Sequence, residues 1–114
     1  VTDDVQGGID AAKRGIALYA GGFGARDMNF HKDAFAKRGY AAEADRIQEL
    51  FLGGRRDEAA AAVPDEYVDE EILIGPPARI RERFALWRDS GFTTLRVSTD
   101  REDVLELVAR ENDR

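Results

Sequence analysis

The chain has 114 residues, of which 43% are hydrophobic and 35% are charged, and its formal net charge is −6. This length suffices for one modest domain, and the composition is typical of a soluble globular protein. The acidic charge argues against a nucleic-acid partner, because binding to a phosphate backbone depends on clustered lysines and arginines. The absence of cysteine excludes a disulfide framework and a thiolate metal site.

No apolar run reaches the roughly 18 residues that a membrane span requires, and none has the pattern of a signal peptide. We therefore predict a cytoplasmic protein that binds neither membranes nor nucleic acids. The chain begins with VTDD and has no initial methionine. We expect from this that it is a truncated chain or a fragment.

Apolar periodicity and clustered glycines predict a mainly helical N-terminal part. The first helix is expected to end at Gly21 and Gly22, and the second to begin at Asn29 and to end at Gly39, with Tyr40 folded back on Phe35. The predicted helices cover approximately residues 2–20, 29–38, 41–52, 55–63 and 64–71. The apolar residues 72–74 fit either a short strand or a helix end.

The sequence of the C-terminal part predicts a helix that ends at a glycine and is followed directly by a strand. Pro77 suits a first helical turn, and Gly91 suits the left-handed position that ends a helix. The segment Thr93–Ser98 is rich in β-forming residues and alternates in polarity, which predicts a strand. A lone strand needs a ladder partner from elsewhere. The spacing of Thr99 and Glu102 predicts the capping box of a last helix.

Two features of the N-terminal half are candidate chemical sites. His31 is the only histidine, and no second histidine, cysteine or close acidic set completes a metal site. We interpret His31 as structural or solvated. The glycine-rich stretch 21–24 would suit a phosphate, with Arg26 as its counter-charge. It follows a helix, however, whereas phosphate-binding glycines follow a strand, so a helix stop is the favoured interpretation.

Several motifs in order resemble those of one protein family. They are AGGFGA from Ala20, NF from Asn29, RGY from Arg38, GRRDEAAAAVPDEYVDE from Gly54 and GPPARIRERFALWRDSGFTTLRVS from Gly75. Together they resemble the C-terminal third of the luciferase-like monooxygenase family. The resemblance is strongest to the branch that uses the deazaflavin coenzyme F-420, and it spans nearly the whole chain.

The resemblance implies a TIM-type barrel that transfers a hydride between the deazaflavin and a substrate, with FMN as the alternative coenzyme. Such a barrel needs about 250 residues, so the chain would be an incomplete part of it. The expected fold is mainly α with one or two short strands. Residues 1–74 would be mostly a helical insertion, and residues 75–114 a terminal helix–strand–helix.

The resemblance also implies where ligands would bind. Five residues would line the cleft at the barrel mouth, namely Tyr19, Gly21, Gly22, Arg26 and Asn29. Arg96 would lie mid-strand and point either to solvent or into a polar cavity, where it would pair with an anionic ligand. The catalytic residues and most of the coenzyme pocket would lie upstream of Val1. We therefore expect no catalytic residue or metal ligand in this chain, and no activity or coenzyme binding by the chain alone.

The chain departs from the family pattern at three positions. Gly7 and Gly8 replace the alanine and acidic residues usual in that helix, and Arg96 replaces an apolar residue of the last strand.

The sequence leaves a second functional reading open, a helical module that works by association. Its amphipathic helices carry more large apolar groups than one strand can cover, and exposed apolar patches mark partner surfaces. We expect either a homo-oligomer, formed by pairing of strand 93–98 across a two-fold axis, or association with the missing upstream part of the barrel.

Overall fold

The structure is a computed structural model, and it describes residues 1–113. The described chain is mainly helical, as predicted. Its helices are α1 (Val5–Gly22), α2 (Phe30–Phe35), a π-helical turn (Ala36–Tyr40), α3 (Ala41–Leu52), α4 (Arg56–Ala61), α5 (Asp65–Glu71), α6 (Pro77–Arg88) and α7 (Glu102–Asn112).

The chain separates into two compact units. The first, here called the helical unit, is Gln6–Ile72 and contains nearly all of α1 together with α2 to α5. The second, here called the C-terminal unit, consists of Val1–Val5 and the residues from Leu73 onward, with α6 and α7. The assignment of residues 1–74 to an insertion in a larger protein stays a prediction.

The core of the helical unit is built around α3, which contacts α2, the π-helical turn and α4. Its largest fully buried side chains are Phe35, Ile47, Val63 and Val68. Burying one such side chain stabilises a fold by roughly 1.5–3 kcal/mol relative to leaving it exposed. These helices are short, so their stability comes from this shared core more than from local propensity.

The chain turns sharply between α2 and α3 at Gly39. Its φ of 99° lies in the left-handed region, which glycine adopts without steric cost. The turn brings the rings of Phe35 and Tyr40 within 5.7 Å in an edge-to-face arrangement. The predicted helix end at Gly39 and the predicted contact between these two rings are both confirmed.

Helix α1 ends at Gly22, two residues beyond its expected limit near residue 20, because it continues through both glycines. These glycines lie against Phe51 of α3, where a Cβ added at Gly21 would be only 2.6 Å from the Phe51 Cβ. Their role is therefore to let two helices approach closely, and the helix ends only after them.

The predicted strand Thr93–Ser98 is wrong. Residues 1–113 contain no strand, and the only β-bridge among them joins Ala25 to Met28. Val97 is 39% exposed, as expected for an apolar residue in a segment that is not part of a sheet. A strand without a ladder partner is not stable in water. Residues 75–113 are thus a helix, an irregular segment and a helix, and residues 72–74 are also irregular.

The C-terminal unit has a smaller core. Pro77 occupies the first turn of α6, as predicted, and Ile80 and Phe84 of that helix are buried. Leu107 is the corresponding buried residue of α7. The backbone N–H of Thr2 donates to the carbonyl of Gly75 at 2.9 Å, which ties the N-terminal residues to this unit.

The predicted capping box at Thr99 is also wrong. Helix α7 begins at Glu102, and Arg101 occupies its N-cap position without a side-chain cap. The Thr99 hydroxyl instead accepts a hydrogen bond from the Arg101 N–H at 3.1 Å. This local side-chain to backbone bond forms a turn ahead of the helix.

Candidate functional site

The helical unit contains a pocket of about 450 Å³. It lies among α1, α2 and the end of α5. Its lining residues are Ala12, Gly15, Ile16, Tyr19, Ala20, His31, Ala34, Phe35, Tyr67 and Ile72. None of these is an aspartate, glutamate, lysine or arginine, so the pocket is apolar and aromatic, with one imidazole and two phenol groups.

One wall of the pocket is a stacked aromatic pair. The rings of Phe35 and Tyr67 have centroids 3.9 Å apart and an interplanar angle of 24°. The guanidinium of Arg38 lies 4.6 Å from the centroid of the Tyr67 ring, a cation–π contact. Arg38 also donates to Glu70 at 2.6 Å and pairs with Glu71. The Tyr67 ring is thereby held in place from several directions.

A second aromatic cluster surrounds Tyr19. Its ring stacks on Phe23 at 4.6 Å and meets the edge of His31 at 4.9 Å. Phe30 meets the same imidazole at 5.7 Å. Tyr19 is 46% exposed, Phe23 49% and Phe30 78%. The pocket therefore opens beside a solvent-facing aromatic surface.

Asn29 connects the helices that carry these rings. It is 2% exposed, and its side-chain Nδ2 donates to the carbonyls of Tyr19 at 3.2 Å and Ala20 at 2.9 Å. Its Oδ1 accepts from the Lys32 N–H at 2.9 Å, which caps α2. One buried amide thus satisfies two carbonyls in the last turn of α1 and one N–H in the first turn of α2, and it ties the backbone of Tyr19 to the start of α2.

The loop after α1 is held to α3 by Gln48. The side-chain Nε2 of Gln48 donates to the carbonyl of Arg26 at 3.0 Å. Its Oε1 accepts from Lys32 Nζ at 2.9 Å, and Lys32 also pairs with Asp45 at 2.7 Å. A buried glutamine with both ends satisfied rigidifies its surroundings.

The six predicted ligand-binding residues lie in different surroundings. Tyr19 lines the pocket, whereas Gly21 and Gly22 lie against Phe51. Asn29 is committed to backbone groups, so it supports the pocket indirectly.

The two predicted arginines also differ in place. Arg26 is exposed, and the contact it makes through Gln48 uses its backbone carbonyl. Arg96 is exposed in an irregular segment of the C-terminal unit. A role for any of the six in coenzyme binding stays a prediction.

Sequence reasoning did not assign His31 and Tyr67 to a pocket. His31 was interpreted as structural or solvated; it is exposed, and it also lines the pocket. The density of aromatic residues on both sides of the glycine-rich loop was the available signal for His31. Tyr67 reaches the pocket from a helix more than thirty residues further along the chain, and nothing in the local pattern predicts that approach.

Within residues 1–113 no group of three or more His, Asp or Glu side chains is arranged to hold a metal ion. In the same residues, no helix combines the length and apolarity that crossing a membrane requires.

The family model described as luciferase-like monooxygenase matches residues 5–94. The chain therefore belongs to the luciferase-like monooxygenase family, as its motifs indicated.

A protein of Mycobacterium tuberculosis, provisionally named as a coenzyme F-420-dependent oxidoreductase, is 38% identical over 110 residues. The alignment covers 96% of this chain and 32% of that relative. The chain thus spans about a third of the length of the curated relative it matches. No solved structure matches the chain.

Proposed function

We propose that this chain is the C-terminal part of an oxidoreductase that transfers a hydride between the deazaflavin coenzyme F-420 and a substrate. The observation that carries the proposal is the 38% identity, over 96% of the chain, to a relative named for that coenzyme. The match to the luciferase-like family model over residues 5–94 supports it. FMN is the alternative coenzyme.

In the proposed protein, the helical unit forms part of the wall of a cleft at the mouth of a barrel. Tyr19 fits contact with a flat ring system, because its side chain lines the pocket and is 46% exposed. The amide of Asn29 does not fit direct contact, because its donors are bound to the Tyr19 and Ala20 carbonyls. We assign the hydride chemistry to the coenzyme and to residues outside this chain, which supplies shape and orientation.

Binding of the coenzyme tests this division of roles. Oxidised coenzyme F-420 is titrated, with its fluorescence as the readout, into the isolated chain and into the longer protein that carries it. We expect saturable binding by the longer protein and none by the isolated chain. Binding of FMN in place of the deazaflavin by the longer protein would contradict the coenzyme assignment. Tight binding by the isolated chain would contradict the location of the pocket.

Matched variants then test whether the helical unit contributes. In the longer protein, Tyr19→Ala removes the ring beside the pocket, and we expect weaker binding or slower reduction of the coenzyme. Arg110→Ala is the control, because Arg110 is a charged surface residue of α7 whose side chain is 71% exposed. Equal effects of both variants would argue against a cleft role for Tyr19.

A second candidate function is association, which exposed apolar side chains favour. In the helical unit Met28 is 80% and Phe30 78% exposed, and in the C-terminal unit Leu86 is 72% and Phe92 69% exposed. We propose that the isolated chain self-associates through such residues, and that the rest of a longer protein covers them. Sedimentation at increasing concentration tests this, with the double variant Met28→Ser, Phe30→Ser as comparison. A monomer at millimolar concentration would contradict it.

A further inference from the structure

Three glycines of helix α1, at positions 15, 21 and 22, lie in two different kinds of surroundings. Gly21 and Gly22 are accounted for by Phe51, which leaves no room for a Cβ at either position. Gly15 is different. A Cβ added there would meet nothing within 4 Å, and its φ is not positive. Glycine within a helix costs roughly 1 kcal/mol relative to alanine, and neither packing nor backbone conformation accounts for that cost at Gly15.

The position of Gly15 supplies a reason. It lies on the pocket lining, one helical turn before Tyr19. Gly15 is exposed, and a Cβ there would meet nothing within 4 Å, so a larger side chain has room to extend over the pocket that this residue lines. The missing side chain therefore enlarges the pocket at a cost in helix stability. A cost of this kind is explained if the space is used by something that binds there.

The lining indicates what chemistry would fit. Pockets for small molecules measure roughly 300–1,000 Å³ and are mostly apolar, with a few polar groups; this one measures about 450 Å³. The aromatic residues Tyr19, Phe35 and Tyr67 line it. Each of these rings already has an aromatic neighbour in the protein, which orders it before a ligand arrives and reduces the entropy lost on binding.

We propose that this pocket binds an uncharged, flat aromatic group of one or two fused rings, and that Gly15 is present to leave room for it. Aromatic rings of protein and ligand favour offset or edge-to-face contacts. The lining has no aspartate, glutamate, lysine or arginine, so a fixed charge on the ligand would lose hydration without gaining a partner of opposite fixed charge. The proposal concerns the pocket itself and does not depend on which coenzyme a longer protein uses.

The His31 imidazole and the Tyr67 hydroxyl supply the polar contacts. Both residues line the pocket. An imidazole and a phenol can each donate or accept a hydrogen bond. A ring N–H or hydroxyl on the ligand would therefore find a partner at the wall. This predicts that indole and 2-naphthol bind better than naphthalene of similar size.

The test is a direct titration of the 114-residue chain with indole, 2-naphthol and, as a charged comparison, 2-naphthoate. Binding is followed by calorimetry and by backbone amide chemical shifts. We expect saturable binding of the two neutral probes at or below about 1 mM, with shifts at pocket residues, and at least tenfold weaker binding of 2-naphthoate. Absence of saturation by both neutral probes, or shifts confined to other surfaces, would overturn the proposal.

Variants at Gly15 decide whether the pocket is the site. Gly15→Leu fills it, and we expect at least a tenfold loss of affinity with no loss of thermal stability, because the helix gains propensity. Gly15→Ala is the matched control and should keep most of the affinity. Ala34→Leu fills the pocket from α2 and serves as a second blocking variant. Wild-type affinity in both leucine variants would refute the assignment.

The last experiment compares probe binding by the isolated chain with probe binding by a longer protein. In a longer protein, a segment of polypeptide is the alternative occupant of the pocket. If the longer protein binds the neutral probes with the same Gly15 dependence, the pocket is a ligand site. If the isolated chain binds them and the longer protein does not, protein side chains fill the space, and the proposal is wrong.

Discussion

The two units differ in how far local sequence suffices to build them. In the helical unit, short amphipathic helices pack on α3, and their side chains reach complete burial, as at Ile47 and Val68. In the C-terminal unit, α6 and α7 form, but the segment between them does not form the strand that its alternation predicts. A helix satisfies its backbone groups within itself, whereas a strand depends on a neighbour.

Hydrogen exchange should give the largest contrast between these regions. Amides of residues 93–98 should exchange almost as in an unfolded chain, while those of α3 should require opening on the order of the global stability. In the proposed longer protein, the same 93–98 amides should become protected, because a barrel would supply neighbouring strands. Mass spectrometry of deuterium uptake measures both. Strong protection of residues 93–98 in the isolated chain would contradict the contrast.

Truncating one apolar side chain in each unit should show that the helical unit loses much more stability than the segment 93–98. Ile47 is 0% exposed, and Ile47→Ala should destabilise the helical unit by about 2–5 kcal/mol through lost burial and a cavity. Val97→Ala should change stability by no more than about 0.5 kcal/mol, because Val97 is 39% exposed in an irregular segment. Denaturant unfolding followed by circular dichroism measures both variants. Equal losses would mean that residues 93–98 contribute to a core.

Alanine substitutions at two glycines of α1 should have smaller effects on stability, of opposite sign. Gly21→Ala should destabilise by about 1–3 kcal/mol, because the new Cβ would be 2.6 Å from that of Phe51. Gly15→Ala should stabilise by roughly 0.5–1 kcal/mol through helix propensity, because its Cβ meets nothing within 4 Å. Thermal unfolding compares them. Effects of the same sign would show that α1 does not pack on α3 as described.

The smallest expected effect is electrostatic and confined to the helical unit. Hydrogen bonds from Lys13 and, secondarily, Gln6 hold the pKa of Asp65 below its ordinary value. The folded state therefore favours the carboxylate, and this contribution to stability is present above about pH 4 and is lost as the pH falls further through the lowered pKa. The hydrogen bond with Asp65 in turn raises the pKa of Lys13, whose contribution is lost only in strong alkali.

Asp65→Asn is the variant that measures this contribution. Its melting temperature should lie slightly below that of the wild type near pH 6, and the two should converge as the pH falls to about 3. Arg110→Gln, which breaks an exposed pair with Glu106 on α7, is the control in the other unit. A difference for Asp65→Asn that grows on acidification would contradict the sign of the linkage.

The candidate site was less predictable than the helices. Glycine positions and apolar spacing anticipated the turn at Gly39 and the helix Ala41–Leu52 with the bounds that the structure has. The close packing of Gly21 and Gly22 on Phe51 was not predicted, because a glycine that permits close packing and a glycine that ends a helix look alike in a sequence. The role of Asn29 was predicted as a helix start, but its two bonds to the end of α1 were not.

By itself, the sequence determined the family, the helical class of the chain and most helix limits, because motif order and periodicity are local properties. The tertiary structure decided that Tyr67 joins Tyr19 and His31 at one pocket, and that Gly15 opens that pocket. It also decided that residues 93–98 are irregular in this chain. Each of these outcomes depends on which surfaces are near in space, and a strand or a pocket wall exists only when its neighbours are present.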